Sequence, residues 1–112
     1  MTARTRGFAL LVLRLCSMLH GRYEVEHVGK QLLREASSVA ANFRAAGHAK
    51  SSADFYAKLK SCEEKAVAAC FWLEFIRDGN LLPEDRVVDL VSEAQELVAI
   101  LASACRKSKV SS

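Results

Sequence analysis

Two apolar stripes of helical period, one on each side of a short polar hinge at residues 47–52, constrain this chain more than any other feature. Val25, Val28, Leu32, Ala36, Val39, Phe43 and Ala46 follow one another at steps of three and four, as do Phe55, Leu59, Cys62, Ala66, Ala69, Leu73 and Ile76. That spacing keeps each stripe on one helical face, turned toward a neighbour. Gly47 is placed to end the first helix in the left-handed conformation, which glycine enters without steric penalty. Ser51, with Asp54 three residues on, has the form of a helix start. The hydroxyl accepts from an orphan backbone N–H, and the carboxylate sits where the helix dipole favours negative charge. The pattern predicts an antiparallel helical hairpin.

The flanking segments read as two more helices. FALLVLRLCSML turns Phe8, Val12, Leu15 and Leu19 inward and ends near Gly21. Arg14 interrupts its apolar run, no small-residue cleavage site follows, and the run falls well short of the roughly twenty residues that span a bilayer, so neither a secretory signal nor a membrane helix is expected. Gly79 and Asn80 stop the third helix, and Pro83 at the first helical position, with Glu84 and Asp85 behind it, starts the fourth. Helices are expected at about 5–20, 24–46, 52–78 and 83–106, within one domain spanning 1–112. One Pro, five Gly and 51% hydrophobic residues fit an all-α chain with an ample core.

Two helices carry more apolar surface than one stripe explains. Phe71, Trp72 and Phe75 lie beside Leu73 and Ile76, so the end of the third helix is apolar over much of its circumference. On the fourth, Val88, Val91, Val98, Ala102 and Cys105 form a second stripe beside Val87, Leu90, Ala94, Leu97, Leu101 and Ala104. Surplus apolar surface on a small bundle points to subunit contacts, with Phe71, Trp72, Phe75, Val91 and Val98 as candidate interface residues. Asn42 is either a buried hydrogen-bonding device or a surface group, and the tail 106–112, basic and then Ser-rich, is expected to fray.

Charge is uneven along the chain. Residues 1–60 carry ten basic and four acidic side chains, an excess of +6, whereas 61–112 carry six and nine, an excess of −3. Such asymmetry fits a basic face for an anionic partner, and it also fits solvated faces of varying sign or two halves that pair with each other. Lys30, Arg34, Arg44, Lys50, Lys58 and Lys60 are the candidate nucleic-acid contacts, provided they converge.

Catalytic and metal chemistry find little support. Cys16, Cys62, Cys70 and Cys105 form no CxxC pair and have no histidine at zinc-ligand spacing, so they read as small buried hydrophobes in a reducing cytosol. His20, His27 and His48 stand in unrelated contexts, and Glu63 and Glu64 occupy successive helical positions that face different ways. No nucleophile elbow or phosphate loop occurs. No catalytic residue, metal or cofactor is expected.

QLLREASSVAANFRAA at 31–46, the SxxDF of Ser51 to Phe55, Lys58-Leu59, FWLEFI at Phe71 to Ile76 and EAQELVAIL at Glu93 to Leu101 resemble a bacterial four-helix-bundle family. That family is named after proteins encoded within intervening sequences of large ribosomal RNA genes, and it includes the accessory variability proteins of diversity-generating retroelements. The resemblance covers nearly the whole chain. It implies an up-down-up-down antiparallel bundle that assembles into a ring, typically a pentamer, without enzymatic activity, and its retroelement members are associated with nucleic acid and a reverse transcriptase. The chain departs from the pattern at Glu35, where the family has Ser, at Ala45, where it has Glu, at Glu64-Lys65, which reverses a Lys-Glu pair, and at Ala68-Ala69, which replaces Glu-Thr. The leading functional expectation is a cytoplasmic oligomer that binds RNA or DNA. The competing one is a scaffold ring that binds a protein, or only itself.

Overall fold

Helix ends are set by local chemistry that the structure makes explicit. The structure is a computed structural model that describes residues 1–110, with the backbone alone of Val110. It contains α1 (Thr2–Cys16), α2 (Tyr23–Ala46), α3 (Ser52–Asp78) and α4 (Glu84–Val110), with no strand among the described residues. At the start of α3 the Asp54 N–H donates to Ser51 Oγ (3.0 Å), and Asp54 Oδ2 accepts from the Lys50 N–H (3.0 Å), so side chains occupy both sides of the expected cap. At its end Asn80, not a glycine, takes the left-handed turn (φ 54°). The Leu81 N–H reaches the Ile76 carbonyl and the Asn80 N–H the Arg77 carbonyl, the paired bonds of a Schellman termination. Gly47 does not turn left-handed. It stays right-handed at φ −66°, and the α2 carbonyls are satisfied by successive tight bonds from the N–H groups of Gly47, His48 and Ala49.

Helix α1 ends at Cys16, short of the expected His20. Leu19 is buried as foreseen, but from the following turn, where it folds onto buried Gly29 of α2. A Cβ at Gly29 would stand 3.4 Å from the Leu19 side chain, an ordinary van der Waals contact, so the turn packs directly on this position of α2. Helix α4 begins one residue after Pro83, whose carbonyl accepts from the Arg86 N–H, and it continues through Val110 where fraying was expected; Ser111 and Ser112 lie outside the described residues.

Each helix has two close backbone neighbours: α1 lies beside α2 and α4, and α3 beside α2 and α4, with the diagonal pairs further apart. Joined by short connections, this is an up-down-up-down antiparallel bundle, 47 × 21 × 19 Å. Its core falls into two clusters. The first draws on all four helices and includes Phe8, Val12, Leu32, Leu73, Ile76, Val87 and Leu97. The second, toward the hinge, consists of Val39, Leu59, Cys62, Ala66, Leu101 and Cys105, with nothing from α1. The reason is length: α1 rises about 22 Å and α3 and α4 about 40 Å, so the hinge end is a three-helix bundle.

Two expectations about apolar faces need correction. Phe55, placed on the inward stripe, is exposed at the first turn of α3. Val91 and Cys105 are buried within the subunit core and Val98 packs against it, so most of the second stripe on α4 is used internally and Val91 is closed to any partner. At the end of α3, Phe71 and Phe75 are about half exposed within one subunit.

Ion pairs between helices include one set joining α1 to α4 and one joining α2 to α3. Arg4 of α1 donates to Glu93 (2.7 and 2.8 Å) and to Glu96 (3.0 Å) of α4. Glu35 on α2, nearly buried, faces Lys65 on α3 at 3.6 Å. Lys65→Ala should cost about 1 kcal/mol, because it leaves that carboxylate unpaired in a site largely closed to water. Lys65→Glu should cost more, and Lys65→Ala with Glu35→Ala less than the sum of the two single effects, as urea unfolding would show. Arg4 hydrogen bonding holds the Glu93 carboxyl below its ordinary value of 4.5. A lowered folded-state value means that this ion pair stabilises above about pH 4.5 and ceases to do so on acidification. The stability difference between wild type and Arg4→Ala should therefore be larger at neutral pH than at about pH 3.

Candidate nucleic-acid interface

The six cations singled out in the sequence do not form one face. Lys58 pairs with Asp54, one helical turn before it, and Lys60 pairs with Glu63 (3.1 Å), so both charges are partly neutralised on α3 itself. Lys58, and then the Lys50 N–H, hold the Asp54 carboxyl below the usual carboxylate range, while hydrogen bonding to Glu63 raises Lys60. Lys30 lines a shallow cleft of about 280 Å3 between α1 and α2, beside Glu26 and Leu33. Arg34 is exposed one turn further along α2, and its carbonyl accepts from Ser37 Oγ (3.1 Å) and Ser38 Oγ (2.8 Å). These bonds turn both hydroxyls back onto their own helix. Asn42 is half-buried.

Arg44 and Lys50 are different. Both are exposed, in the last turn of α2 and in the hinge, at the end of the bundle where α4 also finishes. There a cleft of about 670 Å3 is lined by Lys50, Ser51, Ser52 and Phe55 from the hinge and the start of α3, and by Lys107 and Ser108 from α4. Among the described residues no acidic side chain lines it. The neighbouring exposed cations Arg106 and Lys109 extend the basic character along the last turns of α4, and exposed His48 adds to it in the hinge.

Arg106, Lys107 and Lys109 were missed as site residues, although a signal for them existed. In an up-down bundle the end of the fourth helix returns to the hinge between the second and third, so the basic tail and the hinge share one end. The larger groove between α1 and α4, about 750 Å3, lacks this character. Its lining brings Arg4, Arg14 and Arg86 together with Asp85, Asp89 and Glu93 around an apolar floor of Phe8, Leu15 and Leu90, with Arg4 paired to Glu93.

The remaining candidate chemistry is dispersed. Among the described residues no group of three His, Cys, Asp or Glu side chains converges as a metal site, and no helix is long and apolar enough to cross a membrane. His27 meets the edge of Trp72 at 6.2 Å between ring centroids, a packing interaction. Burial pushes the Cys62 thiol up to about 12 and those of Cys16 and Cys70 up to about 11. Cys62 Sγ also donates to the Val39 carbonyl (3.2 Å) and Cys16 Sγ to that of Gly29 (3.3 Å).

The match to known proteins follows the whole bundle. The family described as 23S rRNA-intervening sequence protein matches residues 1–103, from α1 through most of α4. The chain belongs to that intervening-sequence protein family. A crystal structure of a protein of unknown function from the S23 ribosomal protein family of Bacteroides thetaiotaomicron is similar in fold, with a TM-score of 0.85 and 26% identity over 93% of this chain and 96% of that one. No match is found among curated proteins. In this intervening-sequence protein Glu35 lies nearly buried on α2, and Lys65 on α3 supplies its counter-charge.

The thiols give a direct test of this packing. Only a thiolate reacts readily, so Cys62 should resist a thiol reagent in the native protein at neutral pH, with Cys16 and Cys70 slow. Unfolding in guanidinium should release all four, as counted by absorbance.

Proposed function

We propose that this intervening-sequence protein is a non-enzymatic, oligomeric accessory protein of the cytoplasm that binds RNA or DNA through the hinge end of its bundle. The observation that carries this reading is Lys50 and Lys107, brought from distant parts of the chain to one cleft with no acidic side chain among the described residues that line it. The start of α3 adds backbone N–H groups and a favourable dipole, although Ser51 and Asp54 already occupy the cap, so the cations carry the attraction. Phosphate binding needs clustered cations and no particular base, which suits a surface without a shaped base pocket. A symmetric assembly repeats the basic end in every subunit and builds a field that the +3 monomer lacks. The ring, typically five-membered, that the family resemblance implies would do this, and four cysteines without a disulfide suit a reducing compartment.

The second reading is a scaffold ring without nucleic-acid binding, holding a protein such as a reverse transcriptase. Exposed Val67, Phe71 and Phe75 on α3 favour it, since apolar surface of this kind marks protein contacts.

Fluorescence anisotropy with short RNA and DNA across a salt series separates the two. Replacing Arg44, Lys50 and Lys107 together with Ala should weaken binding about equally for all sequences and reduce the salt slope by about one for each phosphate that is no longer neutralised. Lys30→Ala with Arg34→Ala should have a smaller effect. Wild type that bound neither RNA nor DNA at low salt would leave the scaffold reading in place.

A further inference from the structure

Helices α1 and α3 lie diagonally across the bundle, each with its backbone close to α2 and α4, so their outward faces look away from each other. Both faces are apolar where a solvated helix would be polar. On α1 the outward positions Leu10 and Leu13 are 42% and 49% exposed, and on α3 Val67, Phe71 and Phe75 are 50%, 53% and 48% exposed. In each case helical spacing sets them opposite the buried stripe. Phe71 and Phe75 stack at 5.8 Å, and Trp72 meets both edge-on, so the α3 face is a preformed aromatic surface.

The charges beside these two faces have opposite sign. Helix α1 carries Arg4, Arg6 and Arg14 and no acid; Arg4 is held by Glu93 and Glu96, while Arg6 and Arg14 make no ion pair among the described residues. They bracket the two leucines across about 12 Å of helix rise. On α3, Glu64 and Glu74 bracket Val67 and Phe71 across about 15 Å. Glu64 is exposed and makes no ion pair among the described residues, and Glu74 accepts only from the neutral Gln95 and Cys70.

We propose that the outward face of α1 in one copy of this chain packs on the outward face of α3 in the next, so that subunits join head to tail. The alternatives within a homo-oligomer are disfavoured by charge: α1 on α1 sets arginine against arginine, and α3 on α3 sets glutamate against glutamate. A seam between two different faces is heterologous, so it propagates from subunit to subunit until rotation closes a ring. It also leaves the hinge end of every subunit uncovered.

This inference rests on the oligomeric part of the proposed function, and complementation tests it. Leu13→Glu spoils only the α1 face and Phe71→Glu only the α3 face, both at exposed positions. By light scattering, each variant alone should fall to the monomer mass of 12.3 kDa. An equal mixture has one intact seam and should form a heterodimer that grows no further. Assembly of Leu13→Glu to the wild-type mass, or a mixture that stays monomeric, overturns the proposal. Circular dichroism checks that both variants remain helical. Should either lose its helices, charge exchange decides: Arg14→Glu and Glu64→Arg should each weaken assembly, and the chain carrying both should regain it, so failure to regain it overturns the seam. A monomeric wild type would remove the oligomeric reading together with this one, whereas an assembled wild type whose faces fail to complement removes this one alone.

Discussion

The buried stripe of α3 is the packing surface on which the other elements depend. Leu59, Cys62, Ala66, Ala69, Leu73 and Ile76 are all nearly inaccessible, and they run through both core clusters. Burying a Leu or Ile side chain contributes about 1.5–3 kcal/mol against the conformational entropy of ordering the chain. Three small residues in the middle of the stripe, Cys62, Ala66 and Ala69, leave room for α2 and α4 to approach α3 closely, with larger residues at either end. Helix α1 is then added to a groove that α2 and α4 already form, which is why its shortness leaves α2, α3 and α4 in register.

Local chemistry was legible in the sequence wherever it acts alone. The bounds of α3 were read correctly because Ser51, Asp54, Gly79 and Asn80 act on their own neighbours, and α2 was read to within one residue. The end of α1 was not legible, because the apolar period continues to Leu19 after the helix has stopped. Periodicity reports which side chains are buried, and a turn can bury Leu19 against Gly29 as well as a helix can. The conformation of Gly47 was misread for a related reason: glycine permits a left-handed turn without requiring one.

The candidate site was legible only in part, since it is assembled by long-range packing. Arg44 and Lys50 could be named from sequence, but the neutralisation of Lys58 and Lys60 depends on which carboxylate each side chain reaches. The place of Lys107 depends on the antiparallel return of α4, a property of topology rather than of any local motif. Val91 shows the opposite error, in which surplus apolar sequence is used by the subunit's own core. Phe71 and Phe75 are apolar residues of similar pattern that the core does not absorb.

The limited reach of α1 grades stability along the molecule. The four-helix half is held by a core cluster drawn from all four helices, whereas the hinge end is covered by three helices and a small second cluster containing two cysteines and an alanine. Local opening free energy should therefore fall toward the hinge, and hydrogen exchange should be fastest in the last turns of α2 and the first turns of α3. The basic residues Arg44, Lys50 and Lys107 lie at that same end. A polyanion held there would bind the part of the fold with the most freedom to lose, coupling its affinity to the ordering of the hinge.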